Sequence, residues 1–130
     1  MRSTGMISIF VLAATAGLAL GAGSSASAAV SRACFDLNSM SWRVAGPKVI
    51  YVRSRVNEIY RLDLVDGSPT LQSPFAHLIF IAKGTSTICS PHDVDLEVSN
   101  GAGFRRPLFI ASITRLTREE VAALPAKDRP

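Results

Sequence analysis

The sequence predicts a mainly β protein, a small antiparallel β-barrel or sandwich of about five strands with a short C-terminal helix. Three observations predict it. Runs of β-branched and aromatic residues recur after Pro47, the first being Val49-Ile50-Tyr51-Val52. Two segments, Glu58 to Val65 and Asp93 to Ser99, alternate apolar and polar residues with the period of a half-buried strand. Turn formers stand between the runs: Gly46-Pro47, Gly67 to Pro74, Gly84 and Asn100 to Gly103.

The first element is a leader. Arg2 is the only charge before Arg32, and Met6 to Leu20 is an uncharged apolar stretch. A small-residue region follows and ends Ala26-Ser27-Ala28. A positive start, a short apolar middle and small side chains before the cut are the parts of a secretory signal peptide. Residues 1–28 are therefore expected to be removed between Ala28 and Ala29. A permanent anchor needs roughly 20 apolar residues, and Gly21, Gly23, Ser24 and Ser25 interrupt this one too early. A lipid-modified start at Cys34 is disfavoured by Arg32. The chain is thus expected to be exported, periplasmic or secreted, and not membrane-spanning once the signal is cleaved.

Export sets limits on the rest. Of 130 residues, those after the leader suffice for one domain, 29–125, followed by a flexible tail, 126–130. Without the leader and its Arg2, 13 Lys/Arg face 10 Asp/Glu. That mild excess suits an anionic envelope polymer, lipid headgroups or an acidic protein, and is no nucleic-acid footprint. Both cysteines, Cys34 and Cys89, lie after the leader. In an oxidising compartment two cysteines most often pair, here with stabilisation of about 4 kcal/mol from loop closure. The alternative is a reactive or metal-binding thiol pair, which lacks an accompanying ligand set.

The elements of the domain follow in order. Cys34 to Val44 has no clear period, and Trp42 reads as a core residue. Lys48–Ser54 and Glu58–Val65 form a β-hairpin around Arg55-Val56-Asn57, with Asn57 suited to the left-handed position. Tyr60, Leu62 and Leu64 share its inner face, Arg61 and Asp63 the outer. His77 to Lys83 is a nearly continuous apolar run, expected to be a strand buried on both sides. In Asp93 to Ser99, Val94, Leu96 and Val98 point inward. Pro107 to Leu116 is the last strand. Thr117-Arg118-Glu119-Glu120 is a capping box, and Pro125 stops the helix it opens.

Four stretches carry a family resemblance: Cys34-Phe35, YVRSRVNEIYRLDL (51–64), ICSPHDVDLEV (88–98) and ITRLTREEVAALP (113–125). Together they resemble an uncharacterised group of small exported bacterial proteins, domain-of-unknown-function family 6491. Members commonly carry four cysteines. Two match Cys34 and Cys89; the others would fall near Ser68 and Leu108, where this chain has none. Loss of both at once is what a missing second disulfide looks like, and it supports pairing of Cys34 with Cys89. The resemblance implies export and a small β fold, and no activity.

No catalytic or metal motif stands out, and no cofactor is implied. His92, Asp93 and Asp95, with His77 elsewhere, are the residues a metal-assisted or acid–base enzyme would use. Two histidines far apart are thin support, and acids on the wet face of a strand are ordinary. No Gly-x-Ser-x-Gly elbow, Ser-x-x-Lys motif or phosphate loop occurs. Tyr51, Arg53, Arg55 and Arg61 gather on the hairpin as a contact surface for an anionic polymer or an acidic protein, unless they only protect an edge. The expectation is a non-catalytic binding or interaction domain of the envelope. A small periplasmic inhibitor of a cell-wall hydrolase is one version of it, and the enzyme is the alternative.

Mass spectrometry of the protein recovered from its producing cells is expected to show a chain beginning at Ala29, two hydrogens lighter than its reduced form. A chain that keeps residues 1–28 would refute cleavage.

Overall fold

The computed structural model describes residues 33–130; the expected leader and its cleavage site lie outside them. Nine strands and one α-helix appear among the described residues. In chain order they are β1 (Phe35–Asp36), β2 (Met40–Val44), β3 (Val49–Ser54), β4 (Glu58–Leu64), β5 (His77–Ala82), β6 (Thr87–Ile88), β7 (Val94–Ser99), β8 (Arg105–Leu108), β9 (Ile110–Arg115) and α1 (Arg118–Ala123). All pairings are antiparallel. They build a four-stranded sheet in the order β2-β3-β4-β9, a three-stranded sheet β5-β7-β8 and a two-stranded ribbon β1-β6.

The fold class is as the sequence predicts, in its sandwich-like form. No closed barrel forms among the described residues, because β5 pairs only with β7 and β6 only with β1. The two larger sheets bury one common core: Ile50 and Val52 from β3, Tyr60, Leu62 and Leu64 from β4, and Leu96 and Val98 from β7. Each set alternates along its strand, so one face of each sheet is apolar. Phe35 and Ile88 of the ribbon enter the same core, and Trp42 packs against it.

The strand count exceeds the expected five for physical reasons. Cys34 to Val44 makes two strands separated by a 3-10 turn at Leu37–Ser39, too short and too mixed to show a period. The expected last strand is two. Phe109 bends the chain so that β8 pairs with β7 and β9 with β4. A strand that turns a corner in this way joins two packed sheets. The apolar run His77 to Ala82 is not buried on both sides. It is an edge strand: Leu78 and Phe80 face the core, while Ile81 on the opposite face is 44% exposed.

Cys34 and Cys89 form a disulfide beside the β1–β6 pair, where Phe35 stands opposite Ile88. It ties the start of the domain to the turn that leads into β7. Ser54, fully buried at the end of β3, stitches the ribbon to the large sheet: its Oγ accepts from the Asp36 backbone N–H at 3.0 Å.

The loop after β4 packs under the β2–β3 turn. Gly67 suits this close approach, since a Cβ would lie 3.0 Å from the Pro47 carbonyl oxygen and would push the two loops apart. The loop's Leu71 fills the core. At the far end, α1 opens with the expected capping box: the Glu120 N–H donates to Thr117 Oγ1 and the Thr117 N–H to Glu120 Oε2. Residues 126–130, read from sequence as a flexible tail, include a 3-10 turn at Ala126–Asp128. The Arg129 guanidinium donates to the carbonyls of Ala122 and Leu124, the last of the helix.

Ser68 is fully buried, and its Oγ has no hydrogen-bond partner. An unsatisfied buried hydroxyl costs free energy that an apolar atom does not. Ser68→Ala is expected to raise thermal stability, by about 1 kcal/mol. Calorimetric unfolding checks this; a lowered melting temperature would mean the hydroxyl is bonded.

Candidate functional site: an arginine-lined cleft at the hairpin tip

The β3–β4 hairpin ends in a three-residue loop, Arg55-Val56-Asn57, between the paired residues Ser54 and Glu58. The left-handed residue is Arg55, with φ 59°, and not Asn57 as its residue type suggested. The loop must reverse as soon as β3 ends, and the Arg55 N–H is held by the Ser39 carbonyl at 3.3 Å. The left-handed conformation costs a non-glycine residue roughly 1–2 kcal/mol.

The β4–β9 register sets Arg115 opposite Tyr60, close to this tip. The chain then passes Leu116 and starts α1 at Arg118. Together the hairpin tip and the β9–α1 junction enclose an open cleft of about 590 Å³. Arg55, Arg115 and Arg118 line it, with Glu58 as its one acid and Val56, Leu116 and Val121 as its apolar wall.

Glu58 is fully engaged. Its Oε1 accepts from Arg115 Nη2 at 3.1 Å, and its Oε2 lies 3.0 Å from the Tyr60 hydroxyl. That hydroxyl is also 2.7 Å from the Cys34 carbonyl oxygen, so one proton serves two acceptors. Burial raises the Tyr60 pKa above its ordinary 10.0, the hydrogen bond and charge of Glu58 raise it further, and the Arg115 and Arg55 charges oppose the rise. Arg55 and Arg118 have no ion-pair partner among the described residues. Three guanidinium groups against one carboxylate leave the cleft positive, and guanidinium forks match carboxylate and phosphate oxygens.

The residues grouped from sequence as one contact surface, Tyr51, Arg53, Arg55 and Arg61, are divided. Arg55 belongs to the cleft. Tyr51, Arg53 and Arg61 lie on the outer face of the four-stranded sheet, where the register also brings Arg43 beside Tyr51. Tyr51 is only 8% exposed, so its ring is no contact point. It and Ile59 are buried on the face away from the main core. The C-terminal segment lies along this sheet at its two ends: Val121 stands at the hairpin tip and Lys127 and Asp128 beside Val44 to Gly46. Arg61 is tied to Asp63 at 2.9 Å, which holds its pKa above the usual value.

His92 lines one cleft with Asp93 and another with Asp95, and no one cleft among the described residues is lined by all three. Asp93 closes a capping box, its Oδ2 accepting from the backbone N–H groups of Cys89 and Ser90 at 3.0 and 2.9 Å. Asp95 pairs with Lys83 at 2.7 Å. His77 is at the far end of β5, opposite Ser99. No group of three or more His, Cys, Asp or Glu residues among the described residues is placed to hold a metal ion.

Sequence reasoning missed Arg115 and Arg118. They are 60 and 63 positions beyond Arg55, and only the β4–β9 register brings them near it. Their place on either side of a helix cap was the one local signal.

Fold and cleft together define a small, disulfide-linked, mainly β domain with sandwich-like sheets and an arginine-lined cleft at one hairpin tip. Residues 6–129 match the model of a family of unknown function, DUF6491, and the chain belongs to that family. Comparison with curated proteins and with solved structures finds no match.

Folding holds Tyr60 protonated above its ordinary pKa. In the unfolded chain it ionises near pH 10, so there the unfolded state binds fewer protons and stability falls as pH rises. That loss begins near pH 10 and ends above the folded pKa. Tyr60→Phe is expected to remove this alkaline loss and to cost about 1–2 kcal/mol at neutral pH. Denaturant unfolding of both proteins across pH checks it; an equal alkaline loss in the variant would assign it elsewhere.

Proposed function

We propose that the protein is a non-catalytic binding domain of the cell envelope that holds an anionic partner in the hairpin-tip cleft. The observation that carries this reading is the convergence of Arg55 and Arg118, neither ion-paired, on a cleft whose only acid is occupied by Tyr60 and Arg115. Elsewhere on the sheets, Arg61, Lys83 and Arg105 each face a carboxylate.

Three further features support the reading. The disulfide suits an oxidising compartment. No helix among the described residues is long and apolar enough to cross a membrane. The acids an enzyme would recruit are committed to backbone N–H groups or to Lys83. The leader expected from the sequence supplies the route to the envelope.

Pyrophosphate is a charge-only probe of the cleft. Titrated at low ionic strength, it is expected to shift the NMR signals of the Arg55, Arg115 and Arg118 side chains and to leave those of Arg43 and Arg53 in place. Arg118→Gln is expected to weaken its binding about tenfold. Absent shifts, or equal shifts at every arginine, would end this reading.

A further inference from the structure

We infer that the ligand of the cleft is an amphiphilic anion, a carboxylate or phosphate headgroup carried on an aliphatic segment. This rests on the anion-binding reading above and names the ligand class. The cleft has two unlike sides. Arg55 and Arg118 present unpaired guanidinium groups, while Val56, Leu116 and Val121 present aliphatic carbon. Val56 is 84% exposed, the most exposed of the large hydrophobic side chains among the described residues. It sits at the tip, beside Arg55, the one non-glycine residue held at positive φ among the described residues.

A bare anion or a wholly polar polymer would satisfy the arginines and leave this wall wet. A headgroup bonded to the guanidinium forks, with its chain lying along Val56 and Val121, satisfies both sides. The volume, about 590 Å³, is that of a small-molecule site and fits a headgroup with the first part of a chain. The same chemistry comes from two sources, an acidic phospholipid in a bilayer or a free fatty acid.

Calorimetric titration with acetate, hexanoate, octanoate and dodecanoate below their micelle concentrations tests the tail. Affinity is expected to rise by up to about fourfold for each methylene the wall buries. Val56→Ser removes wall without removing packing, since Val56 is exposed. It is expected to flatten the chain-length dependence and keep the pyrophosphate response. Arg118→Gln is expected to weaken every chain length alike. Vesicles of phosphatidylglycerol and of phosphatidylcholine separate the sources. Binding to the former alone, lost in Arg118→Gln, assigns the ligand to the bilayer; binding of dodecanoate without vesicle binding assigns it to free amphiphiles.

Affinity independent of chain length, with the pyrophosphate response intact, would overturn the inference and leave the anion-binding reading standing. Failure of pyrophosphate to move the cleft arginines would remove that reading itself. Dodecyltrimethylammonium binding as tightly as dodecanoate would overturn the inference from the other side, because the arginines would then play no part.

Discussion

The Tyr60 side chain is where the core, the crosslink and the cleft meet. Its ring is buried in the shared core and lies 5.5 Å from the ring of Phe35. Its hydroxyl bonds the carbonyl of Cys34, the residue that begins the disulfide. The same hydroxyl holds Glu58, which in turn holds Arg115. A polar group this deep must be satisfied or it destabilises the fold, so the position of the β1 ribbon and that of the cleft acid are fixed by one atom. The disulfide restrains the chain on one side of that atom and the Glu58–Arg115 pair on the other. Of the three cleft arginines, Arg115 is the one this chain of bonds reaches.

What was legible in the sequence was what local pattern dictates. The β3–β4 hairpin, the alternation of β7 and the capping box at Thr117 each rest on neighbours within a few residues, and each appears as read. One misreading is local, the left-handed position at Arg55 in place of Asn57; the larger ones are non-local. Ile79 and Ile81 look like the outer half of a doubly buried strand, yet β5 is an edge, because nothing in its own composition says which sheet position it takes. The split of β8 from β9 at Phe109 depends on two different partners, β7 and β4. The candidate site follows the same division. Arg55 was legible as a turn residue, whereas Arg115 and Arg118 join it only through strand register.

Charge placement follows from the same architecture. On the outer faces of the sheets, cross-strand and same-strand neighbours bring acids to bases: Arg61 to Asp63, Arg105 to Glu97 and, beyond the end of β5, Lys83 to Asp95. Such exposed pairs add little stability. Arg43, Arg53 and Arg106 also stand on the sheets without an ion pair among the described residues, and what sets the hairpin tip apart is that Arg55, Arg115 and Arg118 line one cleft. One carboxylate serves both a tyrosine and an arginine there, and two further guanidinium groups stand beside it. Among the side chains that line this cleft, three guanidinium groups face one carboxylate, and the proposed anion binding rests on that excess.

Arg55 gives the last step. A glycine would relieve its left-handed backbone at once, and an asparagine stands two residues away in the same loop. Neither occupies the position. The backbone strain, roughly 1–2 kcal/mol, is offset by nothing that arginine does for the fold, since Arg55 is exposed and makes no ion pair among the described residues. Strain that the fold does not require is a pointer to function when it falls beside a site. Here it falls on the one loop residue whose side chain supplies positive charge to the cleft, next to an exposed valine that supplies its apolar wall. Under the binding function proposed above, the hairpin tip presents charge and hydrocarbon together at the cost of a less relaxed turn.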